Sequence, residues 1–202
     1  MKVRSCLPIA LLALAACSSP TVPDFTWYRL PPAAPLEAMP APRHELVEVE
    51  AFAADGLYAD TALVYALDPQ AQQLRQYHYQ VWADPPTRFL QRRLIAALRG
   101  TGWAREVTDE LPASRGALRI QGVLLRMDRV PQAEAGWQVE VALKLQATTA
   151  SGESLVNARY VESEPAIGKE LKASVDAYGA AIDRVFARFY ADLRKSEVSV
   201  HD

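Results

Sequence analysis

Residues 137–148 read Trp-Gln-Val-Glu-Val-Ala-Leu-Lys-Leu-Gln-Ala-Thr, and this alternation constrains the fold more than any other feature of the chain. Trp137, Val139, Val141, Leu143, Leu145 and Ala147 share one parity; Gln138, Glu140, Lys144, Gln146 and Thr148 share the other. Successive side chains of a strand point to opposite faces, so this strand has one buried and one wet face. Such a strand belongs to an antiparallel sheet covered on one side. The C-terminal region offers the cover. Val175, Tyr178, Ile182, Val185, Phe186, Phe189 and Leu193 fall on one stripe of a long amphipathic helix, with Ser174 as its predicted cap. Asp176, Asp183, Arg184, Arg188 and Asp192 occupy the other side. That mixed-sign face favours packing on a sheet over lying on a membrane surface.

The same reading extends upstream. Residues 46–52 alternate as a strand, and 61–67 and 73–83 follow as two more, separated by the turn Asp68-Pro69. Asp84 reads as an N-cap with Pro85 at the first helical position. Leu90, Leu94, Ala97 and Leu98 form a helical stripe that stops at Gly100 to Gly102. Residues 103–108 suggest a short strand. In 117–130 the apolar parity changes at Gly122, which predicts a bulge there. Ser151-Gly152 turns the chain into a last strand at 155–162. The expected fold is α+β, an antiparallel sheet with two helices on one face, in the order βββα-ββββα.

The N-terminus reads differently. Lys2 and Arg4 precede an apolar run from Leu7 to Ala16, too short for the roughly 20 residues that span a bilayer but laid out like a secretory signal. It ends Leu14-Ala15-Ala16-Cys17, which resembles the lipobox of bacterial lipoproteins, where the cysteine is acylated and the signal removed. The alternative is an ordinary signal with a chance cysteine. Ser18 follows, whereas an aspartate there is the usual inner-membrane retention signal in enteric bacteria. The expected location is therefore the inner leaflet of the outer membrane, lipid-anchored and facing the periplasm. Residues 17–202 carry 20 basic and 24 acidic side chains, with no dominant basic patch to suit nucleic acid. With Cys6 removed and Cys17 acylated, the mature chain has no disulfide and no thiol nucleophile.

These features divide the chain into a lipoprotein signal at 1–16, an acylated cysteine and proline-rich tether at 17–43, an α+β domain at 44–195 and a tail at 196–202. The seven prolines of residues 18–43 favour an extended spacer. The hexapeptide Phe25 to Leu30 interrupts it, and its three aromatics are expected to dock on the domain as an edge strand.

Catalytic chemistry has little to work with. No nucleophile elbow, P-loop, dinucleotide fingerprint or zincin motif is present, and no cofactor or metal site is expected. The histidines are His44, His78 and His201. His78 alternates with Tyr77 and Tyr79 and is expected on the wet face. Tyr77, Tyr79 and Val81 are expected in the core, with Trp82 on the opposite face at the strand end. Glu48 with Glu50, and Glu162 with Glu164, read as solvated pairs.

Trp-Tyr-Arg-Leu at 27–30, the strand pair at 47–67, and Leu74 to Trp103 with its aromatic strand and Asp-Pro helix start occur in an order that resembles the ABC-type transport auxiliary lipoproteins, the PqiC-like family. The resemblance covers roughly 25–195. It implies a non-enzymatic accessory lipoprotein of an MCE-type lipid transport system, working with an MCE-domain protein and its ABC ATPase and permease on phospholipid or related hydrophobic substrates. It implies no catalytic residues. Cys17 is the expected lipidation site. Gln138, Glu140, Lys144 and Gln146 are a candidate partner surface. The alternatives are an envelope-assembly or secretion-machine docking lipoprotein and a periplasmic hydrolase; a homo-oligomer is left open.

Overall fold

The computed structural model describes residues 23–110, 116–133 and 136–199. Cys17, the signal-like segment, His201 and the last residues of the tail lie outside them. The elements run β1 (Thr26–Tyr28), β2 (His44–Val49), β3 (Ala53–Ala54), a 3-10 turn (Gly56–Tyr58), β4 (Ala62–Ala66), β5 (Leu74–Trp82), α1 (Pro86–Thr101), β6 (Ala104–Thr108), β7 (Leu118–Pro131), β8 (Trp137–Thr148), β9 (Ser154–Ala166) and α2 (Leu171–Ser199).

Strand β7 organises the sheet. Along one edge it pairs antiparallel with β8, which pairs antiparallel with β9. Along the other edge it meets three strands in turn, all parallel to it. Val47 to Val49 of β2 lie beside Leu118 to Ile120, Ala53 and Ala54 of β3 beside Val123 and Leu124, and Val64 and Tyr65 of β4 beside Asp128 and Arg129. Beyond β2 lies β6, parallel, and beyond β4 lie β5, antiparallel, and then β1, parallel to β5. The sheet is thus mixed and strongly curled, not purely antiparallel, and the small strands β1 and β3 change the expected order. Parity fixes which face a strand buries; it is the same for parallel and antiparallel neighbours, so the alternation could not distinguish them.

Helices α1 and α2 bury their stripes against one face. Leu90, Leu94 and Leu98 of α1 and Ile182, Val185, Phe186, Phe189 and Leu193 of α2 are buried together with Val139, Val141, Leu143 and Leu145 of β8. Three local expectations are corrected. The residue preceding α1 is Pro85, extended and without a side-chain cap, with Pro86 first in the helix; Asp84 instead pairs with Arg92, eight residues on. Helix α2 begins before Ser174, which is fully buried inside it. The irregularity of β7 falls between Leu124 and Arg126, not at Gly122. Gly122 keeps its register opposite Leu145, and a Cβ there would lie 2.6 Å from the Phe52 ring. Glycine is present to admit that ring, and the run Leu118, Ile120, Leu124 stays on the buried face.

Strand β5 departs further from simple alternation. Val64 sits opposite Gln76 and Ala62 opposite Val81, so five residues of β5 advance against two of β4. The three extra residues invert parity. Tyr77 points to the helix side, where it meets Arg129, and so does Trp82, whose ring packs edge-on against Phe89 and Tyr178 at 5.2 and 5.6 Å. Trp82 is a core residue and does not occupy the opposite face.

Candidate functional site

Residues 31–43 do not hang free as a spacer; they cross the outside of the two helices. Proline lacks a backbone N–H, so a proline-rich segment cannot satisfy its carbonyls in a regular backbone ladder and takes donors from elsewhere. Arg93 of α1 supplies them. Its Nη1 donates to the Pro31 carbonyl at 2.6 Å, while Nε and Nη2 form a fork on Asp183 of α2 at 2.8 and 2.9 Å. The Ala34 N–H donates to the same Asp183 carboxylate at 2.9 Å. Gly179 lets Pro31 approach α2, since a Cβ there would lie 2.6 Å from the proline ring. Further along, the Met39 N–H donates to the Thr101 carbonyl at 2.7 Å, and Arg194 pairs with Glu37. The chain is therefore held to both helices from Pro31 to Met39, and the Arg43 N–H then donates to the Trp103 carbonyl just beyond α1. Sequence reading placed Asp183 on the wet side of α2 and passed over Arg93. The available signal was its position between Leu90 and Leu94, inside the apolar stripe.

A second polar group ties α2 to the sheet. The guanidinium of Arg129 is buried, donates to Ser174 Oγ at 2.8 Å, to the Tyr77 hydroxyl at 2.7 Å and to the Lys169 carbonyl at 2.8 Å, and lies 3.8 Å over the Trp137 ring. Its donors are directed inward, so it is a structural arginine. Glu162 and Glu164 are not a solvated pair. Arg184 donates to Glu162 at 3.0 Å and contacts Glu164 at 2.6 Å, and Arg188 donates to Glu162 at 2.7 Å. Burial raises the Glu162 carboxyl, but the two guanidinium bonds outweigh it and hold the group below the ordinary carboxylate value.

The face turned away from the helices carries the partner residues expected from sequence. Lys144 is exposed; Gln138, Glu140 and Gln146 are half-buried. They are not independent: Gln138 donates to Glu140 at 3.1 Å, Glu140 pairs with Arg126, and Gln146 lies 3.5 Å from Thr148 Oγ1. Arg126 also contacts Asp128, which is buried and accepts the Tyr58 hydroxyl at 2.7 Å. Burial, then that bond, pushes the Tyr58 phenol far above its usual range. The same face carries three rings at its β1 margin. Phe25 stacks on Trp27 at 6.1 Å and meets Tyr79 edge-on at 5.5 Å. Phe25 and Trp27 are 54% and 62% exposed.

His78 is exposed, with Tyr79 as its ring neighbour at 6.3 Å, and His44 packs edge-on against Trp103 at 4.5 Å. Among the described residues, no group of three or more His, Cys, Asp or Glu side chains could hold a metal ion, and no helix is long and apolar enough to cross a membrane.

A curled mixed sheet with two helices on one face defines a class shared by several solved structures. Protein XCC0632 from Xanthomonas campestris, described as a DUF330 protein, is 15% identical, with a TM-score of 0.73 over 88% of this chain and all of that one. A crystal structure described only as an uncharacterized protein is also 15% identical, with a TM-score of 0.64 over 86% of this chain and 98% of its own. The hypothetical protein CT253 from Chlamydia trachomatis is 7% identical, with a TM-score of 0.50 over 76% and 96%. At these identities the likeness shows the fold alone. Curated protein sequences give no match. The family described as "ABC-type transport auxiliary lipoprotein component" matches residues 28–188, and the chain belongs to that family.

Proposed function

We propose that the chain is an outer-membrane-anchored periplasmic lipoprotein, acylated at Cys17, that serves as a non-catalytic auxiliary component of an MCE-type ABC transport system. The system moves phospholipid or another hydrophobic substrate between membranes. The match to the auxiliary lipoprotein family over residues 28–188 carries this reading. The lipobox-like Leu14-Ala15-Ala16-Cys17 and the absence of catalytic motifs from the sequence agree with it. The polar face of Gln138, Glu140, Lys144 and Gln146 is the proposed docking surface for the MCE-domain partner, with Lys144 its most accessible charge.

A photocrosslinking residue at Lys144, introduced in cells, should capture an MCE-domain protein, and Lys144→Glu should weaken copurification of the same partner. Repeated crosslinking that never yields an MCE-domain protein would sink the transport reading. Cys17→Ala should leave the chain unacylated and absent from the outer-membrane fraction. Normal fractionation of that variant would overturn the anchor.

A further inference from the structure

We propose that Phe25, Trp27 and Tyr79 form an aromatic foot that seats the β1 margin of the sheet in the headgroup layer of the membrane to which the chain is anchored. The proposal rests on the reading of Cys17 as the acylated residue. Eight positions separate Cys17 from Phe25, a reach of at most about 29 Å for an extended chain. The prolines after Leu30 add nothing to that reach, because the chain is already bound to the sheet at β1 and to the helices from Pro31 onward. The first folded residues are thus confined to within about 29 Å of the anchor, and they are aromatic.

Of the phenylalanine, tryptophan and tyrosine rings among the described residues, Phe25 and Trp27 are the exposed ones, with Tyr79 half-buried beside them. Trp82 and Trp103 are buried, and Trp137 is covered by Arg129. Trp27 pairs with Val81, one position from the inward Trp82, and therefore faces away from the helices. Tryptophan and tyrosine have an apolar ring with a polar edge and concentrate where hydrocarbon gives way to headgroups. Asp24 and Arg29 flank the rings and are exposed, so their charges stay among headgroups and water. As an edge strand, β1 keeps backbone groups on its outer side that need hydrogen-bond partners. The hydrated headgroup layer offers them and the hydrocarbon core does not. This restricts the seat to the interface. Two exposed rings and their neighbour also fall well short of the roughly 800 Å² per partner of a stable protein interface, which disfavours a second copy as occupant.

The test uses the full acylated chain in phosphatidylethanolamine–phosphatidylglycerol vesicles, plain or brominated on the acyl chain close to the headgroup. The difference in emission between the parent chain and Trp27→Phe isolates Trp27, with the buried tryptophans as internal reference. That difference should be lost in brominated vesicles and kept in plain ones. Equal difference emission in both overturns the proposal. So does Trp27 emission already shifted to the blue before lipid is added, in a chain that sediments as a dimer. Intact mass of the same preparation decides the anchor separately: acyl mass without quenching refutes the foot alone, and quenching without acyl mass refutes the anchor alone.

Discussion

Replacing Arg93 tests whether the N-terminal segment is part of the folded domain. Arg93 is 8% exposed and Asp183 17%, so the fork between them is a buried ion pair that also binds the Pro31 carbonyl. Arg93→Met keeps much of the aliphatic stem and removes the guanidinium. Asp183 then retains only the Ala34 N–H, and the Pro31 carbonyl loses its donor. Breaking a buried pair by removing one partner costs about 3 kcal/mol at the lower end of the usual range, against at most about 1 kcal/mol for an exposed pair. With a denaturant dependence of about 2–3 kcal/mol per molar urea, the midpoint should fall by roughly 1–1.5 M, and the melting temperature by about 6–12 °C. Circular dichroism measures both, and cleavage by a glutamate-specific protease at Glu37 reports the segment itself. Adding Asp183→Leu to Arg93→Met should recover most of the loss, because an apolar pair does not leave a buried charge unmatched. A midpoint shift below about 0.4 M, with Glu37 as protected as in the parent chain, would refute the clamp.

Gly122→Ala forces a methyl to within 2.6 Å of the buried Phe52 ring and should destabilise by about 1–3 kcal/mol in urea titration; Phe52→Leu in the same chain should relieve part of that. Tyr58→Phe removes a donor from the buried Asp128 and should cost about 1–3 kcal/mol by the same measurement. Because the folded Glu162 carboxyl ionises below its ordinary value of 4.5, its contribution is present above that value and lost as pH falls through the lower folded value. The stability difference between the parent chain and Glu162→Gln should therefore shrink on acidification below pH ~4.5, and a difference that grows would contradict the assigned sign.

The parts of the fold that were legible in the sequence were those where one element meets one partner over many residues. The stripe from Val175 to Leu193 and the alternation from Trp137 to Ala147 each repeat enough to fix a face, and both are buried as read. Legibility failed where a distant neighbour overrides the local period. Three inserted residues in β5 turn Trp82 to the core, and no feature of that strand's own composition marks the insertion. At Gly122 a change of apolar parity suggested a bulge, whereas the residue is small because Phe52 needs the space. Proline content made residues 31–43 resemble a spacer, although the same prolines present carbonyls that Arg93 binds. On the open face, Lys144, Glu140 and their neighbours share a strand parity that was plain from the sequence. Their pairing with Arg126 and Thr148 depends on the neighbouring strands and residues around them.

The forked edge of β7 also governs the order in which this chain can be assembled. The two wings of the sheet, β1-β5-β4 and β2-β6, are complete in the first 108 residues, yet among the described residues their strands are joined by pairing only through β7. Until that strand is available, each wing has an open edge that lacks its sheet neighbour. Contacts between strands so far apart in the chain make folding slow. A polypeptide exported N-terminus first would therefore emerge with its leading half still uncommitted, and close into the sheet only when residues 118–131 arrive to join the wings.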